Sequence, residues 1–268
     1  MSNTIEQRIA TIDLRKPEII DLVKKTAISL AKNGVNLDTD SARVALCLDY
    51  SGSMYNLMGN GTVTEMTKRS LAQAIAMDDD GDIEVFAFGS SARKLNSVDV
   101  NSYESFCNDI QNNKPSLGGT RYDLAIKEVV RYYDSVGYDK PVFVIFITDG
   151  DTENKSAVEA EMKAASDKPI FWQFVGIGAD DYDPSVATKS IKKPGFFGRL
   201  LGNEEKVVAN THFEFLVKLD ELEGRAVDNA GFFAVSKPKE MAPERMFDLM
   251  NNEYPTWLKE VRAKGILK

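Results

Sequence analysis

The stretch from Pro141 to Gly150, Pro-Val-Phe-Val-Ile-Phe-Ile-Thr-Asp-Gly, constrains this chain more than any other. Its β-branched and aromatic residues run without polar alternation. That is the pattern of a strand buried on both faces, found in parallel sheets covered by helices on each side. The run then ends abruptly in oxygen, at Thr148 and Asp149, beside a glycine. A second apolar run, Val44 to Leu48, too short for a helix, breaks in the same way into Asp49, Ser51, Gly52 and Ser53. Asp49, Ser51 and Ser53 alternate along the chain, so a turning loop can converge their side chains while Gly52 permits close backbone approach. One carboxylate with neutral hydroxyls suits a hard cation such as Mg²⁺, which takes oxygen ligands and keeps several waters. In open α/β sheets ligands bind beyond the carboxyl ends of the strands, so Asp49 and Asp149 meet if their strands are neighbours.

Composition narrows the function classes. A chain of 268 residues can bury a full core, and hydrophobic residues at 43% with charged residues at 28% are ordinary globular values. Its 33 Lys plus Arg against 41 Asp plus Glu give a net charge of −8, which argues against nonspecific attraction to nucleic acid or an anionic membrane. The 2 cysteines, Cys47 and Cys107, offer no disulfide framework. The residues after Met1 lack the basic start and apolar core of a signal peptide, so the expected compartment is the cytoplasm. No apolar run approaches the roughly 20 residues that span a bilayer, and a soluble protein is expected. The single histidine, His212, leaves no room for a site built from several imidazoles and is read as structural. No Gly-x-x-x-x-Gly-Lys-Ser/Thr sequence supports a phosphate loop.

Along the chain, residues 1 to 16 are polar without a clear period, and Pro17 to Lys32 reads as an amphipathic helix. Met54 to Val63 reads as a long loop, with Thr64 capping the helix that follows. Asp78 to Asp82 superficially resembles a calcium loop, but the register and terminal Glu of an EF-hand are missing, so it is read as a solvated turn. Ile83 to Phe88 is a strand, Ser102 to Gln111 a short helix, and Gly118-Gly119 delivers Thr120 to the start of a helix over Tyr122 to Tyr133. Thr120 has two readings, a helix-capping hydroxyl or a further metal ligand. Ser156 to Ala165 is helical and Pro169 to Gly178 is another buried strand. Residues 192 to 205 carry Phe196, Phe197, Leu200 and Leu201 in an irregular amphipathic loop that could contact a partner. Lys206 to Thr211 is read as a last strand, and Val227 to Val235 as the segment closing the domain. A final amphipathic helix over Glu244 to Arg262, broken at Pro255, either docks on the body or serves oligomerisation. Alternating strands and helices imply right-handed crossovers and a mainly parallel sheet.

With Asp49-Tyr50-Ser51-Gly52-Ser53, Gly119-Thr120 and Thr148-Asp149-Gly150 in this order, the chain resembles the von Willebrand factor A-like (vWA) domains that carry a metal-ion-dependent adhesion site. The stretch from Asp220 to Phe233 and the helix before the first strand make it most similar to the bacterial tellurium-resistance-associated branch. The resemblance implies an α/β, Rossmann-like fold. A mainly parallel sheet would occupy residues 40–237, preceded by a helical extension over 1–39 and followed by a helical tail over 238–268. It implies a divalent cation, Mg²⁺ or else Mn²⁺ or Ca²⁺, held by Asp49, Ser51, Ser53, Thr120 and Asp149. An open coordination position would then take an Asp or Glu of a protein partner. Tyr50, Tyr55, Arg121, Tyr122 and Asp151 are the candidates to rim the site and touch that partner. The expected role is therefore a non-enzymatic binding module of a cytoplasmic stress-response system of the tellurite-resistance type. Two readings compete with it. One is a Mg²⁺-dependent phosphohydrolase using Asp49, although Ser51 stands where an Asp-x-Asp enzyme supplies its second carboxylate. The other is a scaffold with a vestigial metal site whose terminal helices do the binding.

Overall fold

In the computed structural model, which describes residues 3–10, 12, 15–186, 189–192, 206–209 and 211–267, the run at Pro141 becomes strand β4 (Val142–Thr148) at the centre of the sheet. β4 pairs in parallel with β1 (Arg43–Asp49) on one side and with β5 (Ile170–Ile177) on the other. β2 (Ile83–Phe88) and β8 (Ala230–Val235) extend the parallel set, and short β3 (Ala92–Lys94) closes one edge antiparallel to β2, giving the order β3-β2-β1-β4-β5-β8. The chain leaves β1 toward β2 and later returns to β4 on β1's other flank. The β1/β4 boundary is therefore the switch point of the sheet, where the carboxyl ends splay to leave a crevice.

Alternate residues of the central strands divide between two cores, which is why these strands read as unbroken apolar runs. Val44, Leu46, Leu48, Phe143, Ile145 and Ile147 face one layer. It contains α2 (Pro17–Lys32), α4 (Thr62–Met77), α5 (Tyr103–Asn113), α9 (Pro243–Asn251) and α10 (Tyr254–Ala263). Ala45, Cys47, Val142, Val144 and Phe146 face the other layer. There lie α6 (Tyr122–Val136), α7 (Lys155–Ala164) and α8 (Glu214–Asp220). The helices from both chain ends thus lie on the sheet itself. Phe143 and Phe171 meet Tyr254 of α10 edge-to-face at 5.1 and 5.7 Å between ring centroids. Asn251 of α9 accepts from Gln73 Nε2 of α4 at 2.6 Å, inside the same buried seam.

Several local expectations are corrected. Residues 3–10 form a helix, α1 (Asn3–Ala10), anchored by the buried Ile5. Met54 to Val63 is not a loop: a 3₁₀ turn over Gly52–Met54 runs into α3 (Tyr55–Gly59), and α4 begins at Thr62, ahead of Thr64. The Asn60 side chain accepts the Thr62 N–H at 2.9 Å, which starts α4 without help from Thr64. The strand expected over Lys206 to Thr211 is β7 (Lys206–Ala209), which among the described residues pairs with β6 (Lys189–Lys192) in a separate antiparallel ribbon, while β8 completes the main sheet. The chain breaks before Pro255, as its missing N–H requires, and α10 restarts with that proline in its first turn. In the Asp78 to Asp82 turn, Lys140 pairs with Asp78 at 3.0 Å and with Asp79. The amphipathic stretch after Lys192, residues 193–205, lies outside the described residues.

Candidate metal centre

Asp49 is the last residue of β1 and is fully buried. Both of its carboxylate oxygens are engaged: Oδ1 accepts the Ser51 N–H at 2.7 Å, and Oδ2 accepts the Thr148 hydroxyl from the end of β4 at 2.7 Å. The first contact bends the chain so that Ser51 and Ser53 face the same point, with their hydroxyls 3.0 Å apart. Ser53 then donates to Asp149 Oδ1 at 2.7 Å. Asp49, Ser51, Ser53 and Asp149 therefore form one continuous oxygen chain across the carboxyl ends of β1 and β4.

Burial pushes the Asp49 carboxyl up to about 6, against the pull of hydrogen bonds from Thr148 and Ser51, and the charge of Asp149 adds to the rise. Burial likewise raises Asp149, opposed by the Ser53 hydrogen bond and by the charge of exposed His212. Among the described residues no Lys or Arg forms an ion pair with either carboxylate. Two desolvated acids held close without a neutralising side chain form a site that favours a cation, and the neutral hydroxyls between them leave that cation's charge largely uncompensated. No group of three or more His, Cys, Asp or Glu side chains positioned to hold a metal occurs among the described residues, so any metal here rests on hydroxyls as much as on acids.

Thr120 stands apart from this chain. No hydrogen bond among the described residues joins its hydroxyl to Asp49 or Asp149, and it does not cap α6, whose first N–H, from Tyr122, is met by Thr152 Oγ1 at 3.2 Å. Its backbone is instead tied to the loop after Asp149. The Thr120 carbonyl accepts from Thr152 Oγ1 at 3.1 Å and from the Glu153 N–H at 3.0 Å, while its own N–H reaches Glu153 Oε1 at 3.2 Å. Gly119 leaves room for the Glu153 contact, because a Cβ there would lie 1.9 Å from Glu153 Oε1 and push that exposed carboxylate aside. These contacts bring the Thr120 loop to the same sheet edge as the oxygen chain.

Of the expected rim residues, Tyr55 is 55% exposed and lies under the Lys114 ammonium, 4.5 Å from its ring centroid. Arg121 forks onto Asp123 at 2.8 and 2.7 Å, and Asp151 is exposed and paired with Lys155. Tyr50 and Tyr122 do not rim the site. Both are buried: Tyr50 sits in the hydrophobic core with its N–H and C=O bonded to Phe88 and Leu117, and the Tyr122 hydroxyl donates to the Gly150 carbonyl and meets Thr148 Oγ1 at 3.0 Å. Tyr122 is thus the floor under the Asp49–Thr148 contact. The residues that sequence reasoning passed over are Thr148 as a donor, Thr152 and Glu153. Thr148 carried a signal as the oxygen ending β4, whereas the Glu153–Thr120 contact spans 33 residues and has no local signature.

The model of the vWA domain found in the TerF C terminus matches residues 41–189 and 202–267, including the C-terminal helices. The "Uncharacterized protein YcbR" of Bacillus subtilis is 31% identical over 97% of this chain and 91% of its own length. Among solved structures, the conserved hypothetical protein BatB of Bacteroides thetaiotaomicron superposes with a TM-score of 0.53 at 18% identity, over 82% of this chain and all, 100%, of that one. A von Willebrand factor type A structure from Catenulispora acidiphila gives a TM-score of 0.48 at 16% identity, over 80% of this chain and 42% of that one. The fold, the switch-point site and the match along most of the sequence agree: the chain belongs to the TerF-like vWA family.

Proposed function

We propose that the protein is a metal-dependent protein-binding module. Asp49, Ser51, Ser53, Thr120 and Asp149 would hold a hard divalent cation, Mg²⁺ or alternatively Mn²⁺ or Ca²⁺, and an Asp or Glu of a partner would complete its shell. The observation that carries this reading is the unbroken hydrogen-bonded chain from Asp49 through Ser51 and Ser53 to Asp149, with no Lys or Arg among the described residues ion-paired to either carboxylate. When bound, the cation supplies an electrophilic position for an incoming carboxylate. Asp49 and Asp149 supply the charge, Ser51 and Ser53 fix the spacing, and the Thr120 loop, held by Thr152 and Glu153, sets how far the site opens. Tyr55, Arg121 and Asp151 form the accessible rim on which partner choice rests.

A binding role is favoured over a phosphohydrolase with Asp49 as nucleophile because that side chain is fully buried and each of its oxygens already accepts a hydrogen bond. The membership in the TerF-like family supports placing the module in a bacterial stress-response assembly of the tellurite-resistance type, acting in the cytoplasm. No helix among the described residues is long and apolar enough to cross a membrane.

Calorimetric titration of the wild type and of the Asp49→Ala/Ser51→Ala variant with Mg²⁺ and Mn²⁺ tests the site, with a thermal melt of each as a folding control. Binding by the wild type that is lost in the folded variant is the expected result. A wild type that binds neither cation, with or without added acidic peptide, defeats the reading.

A further inference from the structure

The opposite end of the sheet carries a second set of oxygens that the site above does not use. Asp220 ends α8 and Glu253 immediately precedes α10, and their carboxylates lie within hydrogen-bonding reach of each other. They line an open cavity of about 490 Å³ together with Arg225, Asp228, Glu260 and Lys264. No Lys or Arg among the described residues forms an ion pair with either. Arg225 is committed elsewhere, to the Leu222 and Asp220 carbonyls, to Asp228 at 2.6 Å and to the Asn229 side chain. Lys264 is committed to Glu260 and the Ala226 carbonyl.

A third oxygen points to the same place. Gln173 of β5 is 1% exposed, and its Oε1 has no hydrogen-bond partner among the described residues. It faces Gly231, its register partner on β8, where a Cβ would sit 3.0 Å from Gln173 Oε1 and 3.3 Å from Glu253 Oε2. Glycine at 231 therefore leaves a cradle between a buried amide oxygen and a carboxylate. Each of these two oxygens is an acceptor. An orphaned buried acceptor is costly, and burial together with their contact raises both the Asp220 and Glu253 carboxyls, so that the pair keeps a shared proton a cation would displace.

We propose that this cradle is a second cation site, in which the carboxylates of Asp220 and Glu253 and the amide oxygen of Gln173 hold a hard divalent cation of the Ca²⁺ type. Oxygens from three separate elements at uneven spacing suit Ca²⁺, which accepts amide oxygens and flexible shells of 6–8 ligands, better than the strict octahedron of Mg²⁺. Water from the open cavity completes the shell. The ion ties the end of α8 and the start of α10 to β5, so its occupancy fastens the C-terminal helices to the sheet.

The test uses the full chain carrying Asp49→Ala, which removes the first site, titrated calorimetrically with CaCl₂ alone and melted in calcium and in chelator. One calcium equivalent should remain, with a Tm rise of roughly 5 to 10 °C at a hundredfold excess over Kd. Adding Glu253→Gln should abolish both effects while leaving the chelated protein folded, since the amide keeps an acceptor for Asp220 and offers a donor toward Gln173 Oε1. If Asp49→Ala does not fold, the same reading comes from Glu253→Gln alone, which should bind one equivalent fewer than wild type. Identical melts in calcium and chelator for Asp49→Ala, or calcium binding that survives Glu253→Gln, overturn the proposal.

Discussion

Thr148 donates its hydroxyl to Asp49 Oδ2 at 2.7 Å, joining the ends of two parallel strands whose residues are 99 apart in sequence. The contact fixes one Asp49 oxygen toward the protein and directs the remaining coordination capacity of that carboxylate toward Ser51 and Ser53. Thr148→Val keeps the shape and removes the donor. It should destabilise the fold by about 1–3 kcal/mol in a denaturant titration, the cost of a buried acceptor left unpaired. It should also move the onset of Mg²⁺ binding to higher pH, because the ionised form of Asp49 loses a stabilising partner.

The Asp49 carboxyl, raised by burial from its ordinary value of 3.8 to about 6, gives stability a definite pH dependence. Between those two values the native state holds a proton that the unfolded chain has released, so this residue's contribution is greatest at acid pH and is lost as pH rises through about 6. The size is on the order of 3 kcal/mol. Asp49→Asn should therefore flatten the fall in metal-free stability between about pH 4 and 6, read from urea midpoints in chelator at each pH. Cation binding should run the other way, strengthening as pH rises through the same range.

How much of this was legible follows from what each pattern encodes. β1 and β4 were visible because burial on both faces leaves no polar position in Val44 to Leu48 or Val142 to Ile147, and their oxygens were visible because each run stops at an aspartate. That β1 and β4 are neighbours is a property of strand order, for which the resemblance supplied the expectation and the local pattern could not. α1 escaped because it is only 8 residues long, and Ile5 and Ile9 are too few apolar positions to establish a period. Tyr50 and Tyr122 read as rim residues because phenols close to an acidic motif look exposed; their polar groups are satisfied by Phe88, Leu117, Gly150 and Thr148, which only the fold brings near. The same holds for Asp220 and Glu253, whose elements meet only after β8 closes the sheet.

The Thr120 loop should respond to Glu153 and Gly119 as one unit. Glu153→Ala frees the Thr120 N–H, and Gly119→Ala drives the same carboxylate away with its methyl group. Each should weaken cation affinity about 3- to 10-fold while changing stability by about 0.5 kcal/mol or less, because Glu153 is exposed. The double variant should be no weaker than either single one, a coupling measurable by calorimetry as a double-mutant cycle. Strictly additive losses would separate the two residues and leave the loop positioned by Thr152 alone.

The scaffold reading, in which the terminal helices bind and the metal site is idle, suggests truncation at residue 239 as a test, but the packing predicts that this deletion unfolds the domain. Phe171 lies against Trp257 at 5.5 Å and against Tyr254 at 5.7 Å, and removing α10 exposes that face of β4 and β5 to water. Trp257→Ala alone should cost about 3–5 kcal/mol by denaturant titration. Trp257→Phe should cost only about 1 kcal/mol, because the indole N–H it removes is buried without a partner, so part of the lost packing is offset by removing an unsatisfied donor. A truncated protein that stays soluble and melts cooperatively would show that α10 is a dispensable appendage. Failing that, the terminal helices are part of the core that holds β1 and β4 in register, and the binding surface has to be sought at the sheet edge where Asp49 and Asp149 stand.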